Sequence, residues 1–63
     1  MLVQGYVGEF PTQKVISSLM KNLKLQSVAA RETAIKIKAG EGVELPYDMV
    51  LIEDLEELNV IVK

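Results

Sequence analysis

The sequence predicts an α+β domain in which a small mixed sheet is covered by one amphipathic helix. Three features support this class: an opening run at 2–7 rich in β-branched and apolar types, an apolar stripe of helical spacing at 15–23, and a closing run at 58–62 in which Val and Ile predominate. A chain of 63 residues has room for a single hydrophobic core. Residues 1–63 are therefore expected to form one domain.

The first two elements are the clearest in the sequence. Residues 2–7 read LVQGYV and predict a strand that stops at Gly8. Apolar residues then recur at the spacing of one helix face, namely Val15, Ile16, Leu19, Met20 and Leu23. Pro11 or Thr12 suits the start of this helix, because proline is tolerated in a first turn and threonine can cap free amides.

The segment 26–33 is ambiguous, because its serine suits a helix cap and its alanines favour helix. A helix that continued to residue 38 would mix apolar and charged side chains on one face. That face would carry Val28, Arg31, Glu32 and Ile35. This mixture argues against a long second helix.

Residues 34–38 instead alternate between apolar and basic types, which predicts a strand. The two glycines at 40 and 42 allow positive φ and predict a turn. Residues 43–45 would then return as a short strand before Pro46, giving a hairpin.

The C-terminal third contains one segment that periodicity cannot assign. The apolar residues at 49–52 form too short a run to distinguish helix from strand. Residues 53–57 read EDLEE and are predicted to form an acidic turn. Residues 58–62 are predicted to form the last strand, at a central position because of their Val and Ile content.

The run AIKIKAGEGVELPYDMVLIEDLEELNVIVK resembles the latter part of β-grasp proteins of the ubiquitin-like group, especially the small sulfur carriers of thiamine and molybdopterin synthesis. The resemblance covers about residues 12–62, and 53–57 stand where that family has an acidic turn. It implies a β-grasp-like sheet. Those carriers use a flexible Gly-Gly C-terminus, whereas this chain ends NVIVK, so a carrier of this sequence would be degenerate.

Charge is distributed unevenly along the chain. Residues 1–38 contain six basic and two acidic residues, a net charge of +4, and residues 39–63 contain one basic and seven acidic residues, a net charge of −6. The two halves either neutralise one another within the fold or form charged partner surfaces. The candidate partner surface consists of Lys36, Lys38, Glu53, Asp54, Glu56 and Glu57.

Residue types needed for common catalytic and metal chemistry are missing. The chain has no His and no Cys, so its serines and threonines lack the usual activating base and no thiolate is available. Gly40-Glu41-Gly42 has no GK[ST] ending and does not resemble a phosphate-binding loop. The acidic group at 53–57 lacks the pattern of a Ca²⁺ loop. We expect no enzyme activity, no cofactor and no metal.

The composition favours association with a protein partner. Hydrophobic residues make up 49% of the chain, a large share for so small a domain, and disulfides or a His/Cys metal site cannot reinforce it. We expect a non-catalytic protein-binding or assembly module that acts as a homo-oligomer or as a small subunit of a complex. No export or membrane signal is recognised, so a cytoplasmic location is expected.

The alternative function is a small nucleic-acid-binding regulator of the helix-turn-helix type. Its helices would span 12–23 and 27–38, and the second would present Arg31, Lys36 and Lys38 to DNA. Helix content separates the two interpretations. The alternative predicts more than about 40% helix, and the favoured interpretation about 25% or less.

Overall fold

The computed structural model describes all 63 residues as three helices and a three-stranded antiparallel sheet. The elements in chain order are β1 (Leu2–Tyr6), α1 (Thr12–Leu23), α2 (Ser27–Lys38), β2 (Val43–Glu44), α3 (Met49–Glu57) and β3 (Val60–Val62). The predicted α+β class is confirmed. The sheet is antiparallel rather than mixed, and three helices are present where one was predicted.

The sheet has the order β2-β1-β3, so the first strand is its centre. Val3 on β1 pairs with Val43 on one side and Val62 on the other, and its side chain is fully buried. The register on β3 shifts between Val3 and Tyr6, and Gly5 in that interval has φ +82°. A positive φ within such a bulge favours glycine. The predicted central position of the last strand is wrong, since β3 is an edge.

Helix α1 begins at Thr12, one of the two predicted start residues, and supplies much of the core, although Met20 of the predicted stripe is exposed. Val15, Ile16 and Leu19 are buried on one face, where α1 packs against both α2 and α3. Helix α2 lies against β1 and β2, and α3 lies against β3. The two outer helices therefore lie toward opposite edges of the sheet.

The predicted strand at 34–38 is wrong, because these residues form the second half of α2. Ala30, Ala34 and Ile37 are fully buried at helical spacing, so the side of α2 that faces the core is narrow and made mainly of alanine. Ile35 belongs to the opposite, exposed side. The alternation of Ile and Lys at 34–38 therefore reflects two isoleucines, Ile35 and Ile37, on opposite sides of one helix.

The predicted hairpin and the predicted acidic turn are also wrong. Strand β2 pairs with β1, not with residues 34–38. Residues 53–57 lie in α3, which begins after Asp48, whose side chain accepts a hydrogen bond from the Leu51 amide at 3.0 Å. This is a true N-cap. Leu51 and Leu55, one turn apart, are fully buried and hold the helix against the core.

The helical share exceeds the sequence prediction. The three helices contain 12, 12 and 9 residues, slightly more than half of the chain. This share lies in the range that the helix-turn-helix alternative predicted. The bounds of α1 and α2 are the bounds given by that alternative.

Candidate protein-docking surface

Helix α2 has a second side that nothing in the chain covers. On α2, residues spaced by three, four and three positions follow one line along the helix, its two apolar members turned away from the buried alanines and its two basic members bordering them. They are Val28, Arg31, Ile35 and Lys38, which we call the α2 stripe, and all four are exposed. Glu32 lies beside the stripe and is exposed as well.

The apolar members of the α2 stripe are unusually open to solvent. Val28 is 67% exposed and Ile35 is 55% exposed. Neither β-branched residue favours helix, and neither contributes substantially to the core at this exposure. A depression of about 380 Å³ lies between them, bordered by Arg31 and Glu32. An apolar stripe that includes such a depression is suited to receive a side chain of a partner.

The charged side chains of α2 are arranged differently from the strand prediction. A strand would have placed Lys36 and Lys38 on one face. In a helix, residues two positions apart lie about 200° from each other around the axis. Lys38 instead shares its flank with Arg31, seven residues earlier. Both lysines are exposed. The exposed charges of α2 are three basic residues and Glu32.

Helix α3 carries a complementary line of residues. Met49, Glu53 and Glu56 are spaced by four and three positions on the side away from the buried leucines, and we call them the α3 stripe. Met49 is 63% exposed, and Tyr47 and Val50 beside it are 74% and 53% exposed. The stripe thus has an apolar end at the start of the helix and an acidic end beyond it.

The charges of α2 and α3 do not pair within the chain. The one salt bridge joins the Met1 ammonium to Glu44 at 3.4 Å. Arg31 and Lys38 on α2, and Glu53 and Glu56 on α3, form none. Apart from the pair at Met1, no basic group of the first half forms a salt bridge with an acidic side chain of the second half, and both helices keep their charges on the surface.

Asp54 differs from the other residues of the predicted partner surface, because it is half-buried and turned toward α1. Its Oδ2 accepts a hydrogen bond from Ser18 Oγ at 3.2 Å and another from Asn22 Nδ2 at 3.0 Å. Ser18 itself is only 7% exposed. No buried side-chain polar atom lacks a partner. Asp54 therefore fastens α3 to α1.

An open cleft of about 350 Å³ lies beside this contact, lined by Lys14, Ser17 and Lys21 among others. The Ser18 hydroxyl at its floor already donates to a carboxylate, and no histidine or thiol is available to activate it. No group of three or more acidic side chains converges as metal ligands would. Of the residues that line this cleft, Ser18 and Asp54 are already engaged in the α1–α3 contact.

The sequence analysis did not select Val28 or Ile35 as partner residues, and it named Arg31 only as a DNA contact of the helix-turn-helix alternative. The signal was nevertheless present, since a helix over 27–38 was expected to mix apolar and charged residues on one face. That mixture was treated as an objection to the helix. In the structure, three residues of that mixed face, Val28, Arg31 and Ile35, belong to the α2 stripe.

No family model, curated protein or solved structure matches the chain. The resemblance to β-grasp sulfur carriers therefore stays a prediction. None of the helices combines the length and hydropathy that a membrane span needs.

Proposed function

We propose that this protein is a non-catalytic assembly module that associates with further copies of itself through the α2 stripe. The observation that carries the proposal is the exposure of Val28 and Ile35, on the side of α2 away from the core. Large apolar residues grouped with charged neighbours are typical of protein interfaces. A cytoplasmic setting agrees with this role, because a Cys-free chain needs no oxidising compartment.

The size of the molecule sets the expected affinity. A standard interface buries about 800 Å² on each partner, which is about a fifth of the 4084 Å² surface of this chain. Full burial of a Val or Ile side chain contributes about 1.5–3 kcal/mol. Two such residues form the centre of an interface but do not complete it. We expect dissociation constants in the micromolar range, which corresponds to about −8 kcal/mol.

The test is the native mass by light scattering from micromolar to millimolar concentration, at low and high salt. We expect the wild-type mass to rise above 7.0 kDa with concentration. A variant with Val28→Ser and Ile35→Ser should stay monomeric. Serine has nearly the helix propensity of Val and Ile, so the change removes apolar surface with little effect on α2.

The matched control is Val7→Ser, which removes a valine that is 65% exposed outside α2. This variant should associate like the wild type. A wild-type protein that is monomeric at every concentration contradicts self-assembly. Association that persists in the Val28/Ile35 variant contradicts the assignment to α2.

A second candidate is nucleic-acid binding, favoured by the short connection between α1 and α2. The outer side of α2 has Val28, Glu32 and Ile35 where a DNA-reading helix presents polar and basic groups. Fluorescence anisotropy with labelled duplex DNA at low salt tests it. Under the assembly proposal we expect no binding tighter than about 100 μM, the weak end of non-specific binding. Tighter binding that Arg31→Ala and Lys38→Ala abolish would favour this candidate.

A further inference from the structure

A symmetric contact between two α2 helices would bring like charges together. The α2 stripe carries Arg31 and Lys38, its one acidic neighbour is Glu32, and Lys36 lies on another side of the helix. Two copies joined at this face would each contribute a net charge of +1. Like charges facing one another at an interface disfavour the pairing. The partner of the α2 stripe is better sought on a surface of opposite sign.

The outer side of α3 is that surface. Its exposed carboxylates are Glu53, Glu56 and Glu57, and no cation of the chain neutralises them. Exposed apolar residues precede them at Tyr47, Met49 and Val50. Both faces therefore combine apolar contact area with unpaired charge, and the signs are opposite.

We infer, building on the proposed self-assembly, that the α2 stripe of one copy docks on the α3 stripe of the next, so that copies join head to tail. In this contact the apolar residues supply the buried area. The charges select the receiving face, as complementary charges at an interface mainly do. High salt should weaken the association without abolishing it.

The topology permits such a chain of contacts. Helix α2 lies toward the β2 edge of the sheet, α3 lies toward the β3 edge, and α1 packs between them. One copy can therefore use both faces at once. A contact between two different faces gives a closed ring if the rotation between copies closes, and a growing filament otherwise.

The experiment reverses one charge on each face. Arg31 lies in the middle of α2 and Glu53 in the middle of α3, so the two approach one another whichever way the helices run. Arg31→Glu and Glu53→Arg are made as separate proteins. Lys14→Glu and Glu9→Arg are the matched controls, since they change the charge equally on exposed sites outside both stripes. Sedimentation velocity measures each protein alone and the equimolar mixture of the two reversals.

Each reversal alone should weaken association about tenfold or more, because it places like charges at the contact. The mixture should regain association. The carboxylate introduced at position 31 of one variant then faces the guanidinium introduced at position 53 of the other, and the unchanged Arg31 still faces the unchanged Glu53. The controls should associate like the wild type. Recovery in the mixture also shows that both variants are folded.

Other results separate this inference from the proposed function. If Glu53→Arg associates like the wild type while Val28→Ser with Ile35→Ser does not, α2 mediates assembly and the head-to-tail contact is wrong. A mixture that stays dissociated also overturns it, provided that both variants show the helical circular dichroism of the wild type. A wild-type chain that never associates contradicts both.

Discussion

Helices α1 and α2 are equal in length, at 12 residues each, but they use their apolar residues differently. Helix α1 buries Val15, Ile16 and Leu19 on one face. Helix α2 buries two alanines and one isoleucine, and it leaves Val28 and Ile35 in solvent. The apolar residues of α1 mainly stabilise the fold, whereas those of α2 are divided between the fold and the surface.

The difference also concerns how closely each helix approaches its neighbours. Ala30 and Ala34 have the smallest side chains that still favour helix, and both are fully buried where α2 packs on β1 and α1. Small residues at a contact allow backbones to come close. The large residues of α1 fill the space between α2 and α3 instead. Substitutions at buried positions of the two helices should therefore destabilise the fold for different reasons.

The largest effect is expected at the centre of α1. Leu19→Asp places a carboxylate at a fully buried position, a cost comparable with the total stability of so small a domain. Thermal circular dichroism should show no cooperative transition. Met20→Asp, at the exposed next position, is the control and should melt cooperatively. A cooperative melt of Leu19→Asp would contradict the packing described for α1.

A smaller but clear effect is expected on the buried side of α2. Ala34→Leu adds three carbon atoms at a fully buried site, and overpacking of this kind costs about 1–3 kcal/mol. Ala29→Leu makes the same change at an exposed site of the same helix. It should alter the free energy of unfolding by less than about 0.5 kcal/mol. Equal urea midpoints for the two variants would mean that α2 does not pack closely at Ala34.

The same contrast explains which elements could be predicted from the sequence. In α1 the large apolar residues other than Met20 lie on the buried side, so periodicity found the helix. In α2 the residues Ile35 and Ile37 lie on opposite faces, and two apolar faces separated by lysines resemble strand alternation. The acidic residues at 53–57 concealed α3, because its two buried leucines were too few to reveal a helical period.

The next largest loss of stability is expected at the polar contact that joins α1 to α3. Asp54→Ala removes the acceptor of the Ser18 and Asn22 hydrogen bonds. We expect a loss of about 1 kcal/mol, the usual contribution of a partly exposed contact of this kind. Glu57→Ala removes an exposed carboxylate from the same helix and should leave the unfolding free energy nearly unchanged. Equal losses in both variants would show that charge, and not the hydrogen bonds, is responsible.

The residues of the candidate surface were only partly predictable. Lys38, Glu53 and Glu56 were selected by charge alone and do lie on the two stripes. Val28 and Ile35 could not be selected, because their exposure depends on which side of α2 meets the sheet. That side is determined by the long-range packing of α2 against α1 and β1 in the shared core and not by the local sequence.

The smallest effect on the folded monomer is expected for the outer side of α2. Val28→Ser with Ile35→Ser removes side chains that are mostly in solvent, so at concentrations well below the dissociation constant the melting temperature should match that of the wild type. At high concentration the two proteins should diverge. Only folded copies associate, so the wild-type melting temperature should rise with concentration while that of the variant stays constant. A variant that is less stable even when dilute would instead show that Val28 and Ile35 belong to the core, and the distinction between the two helices would fail.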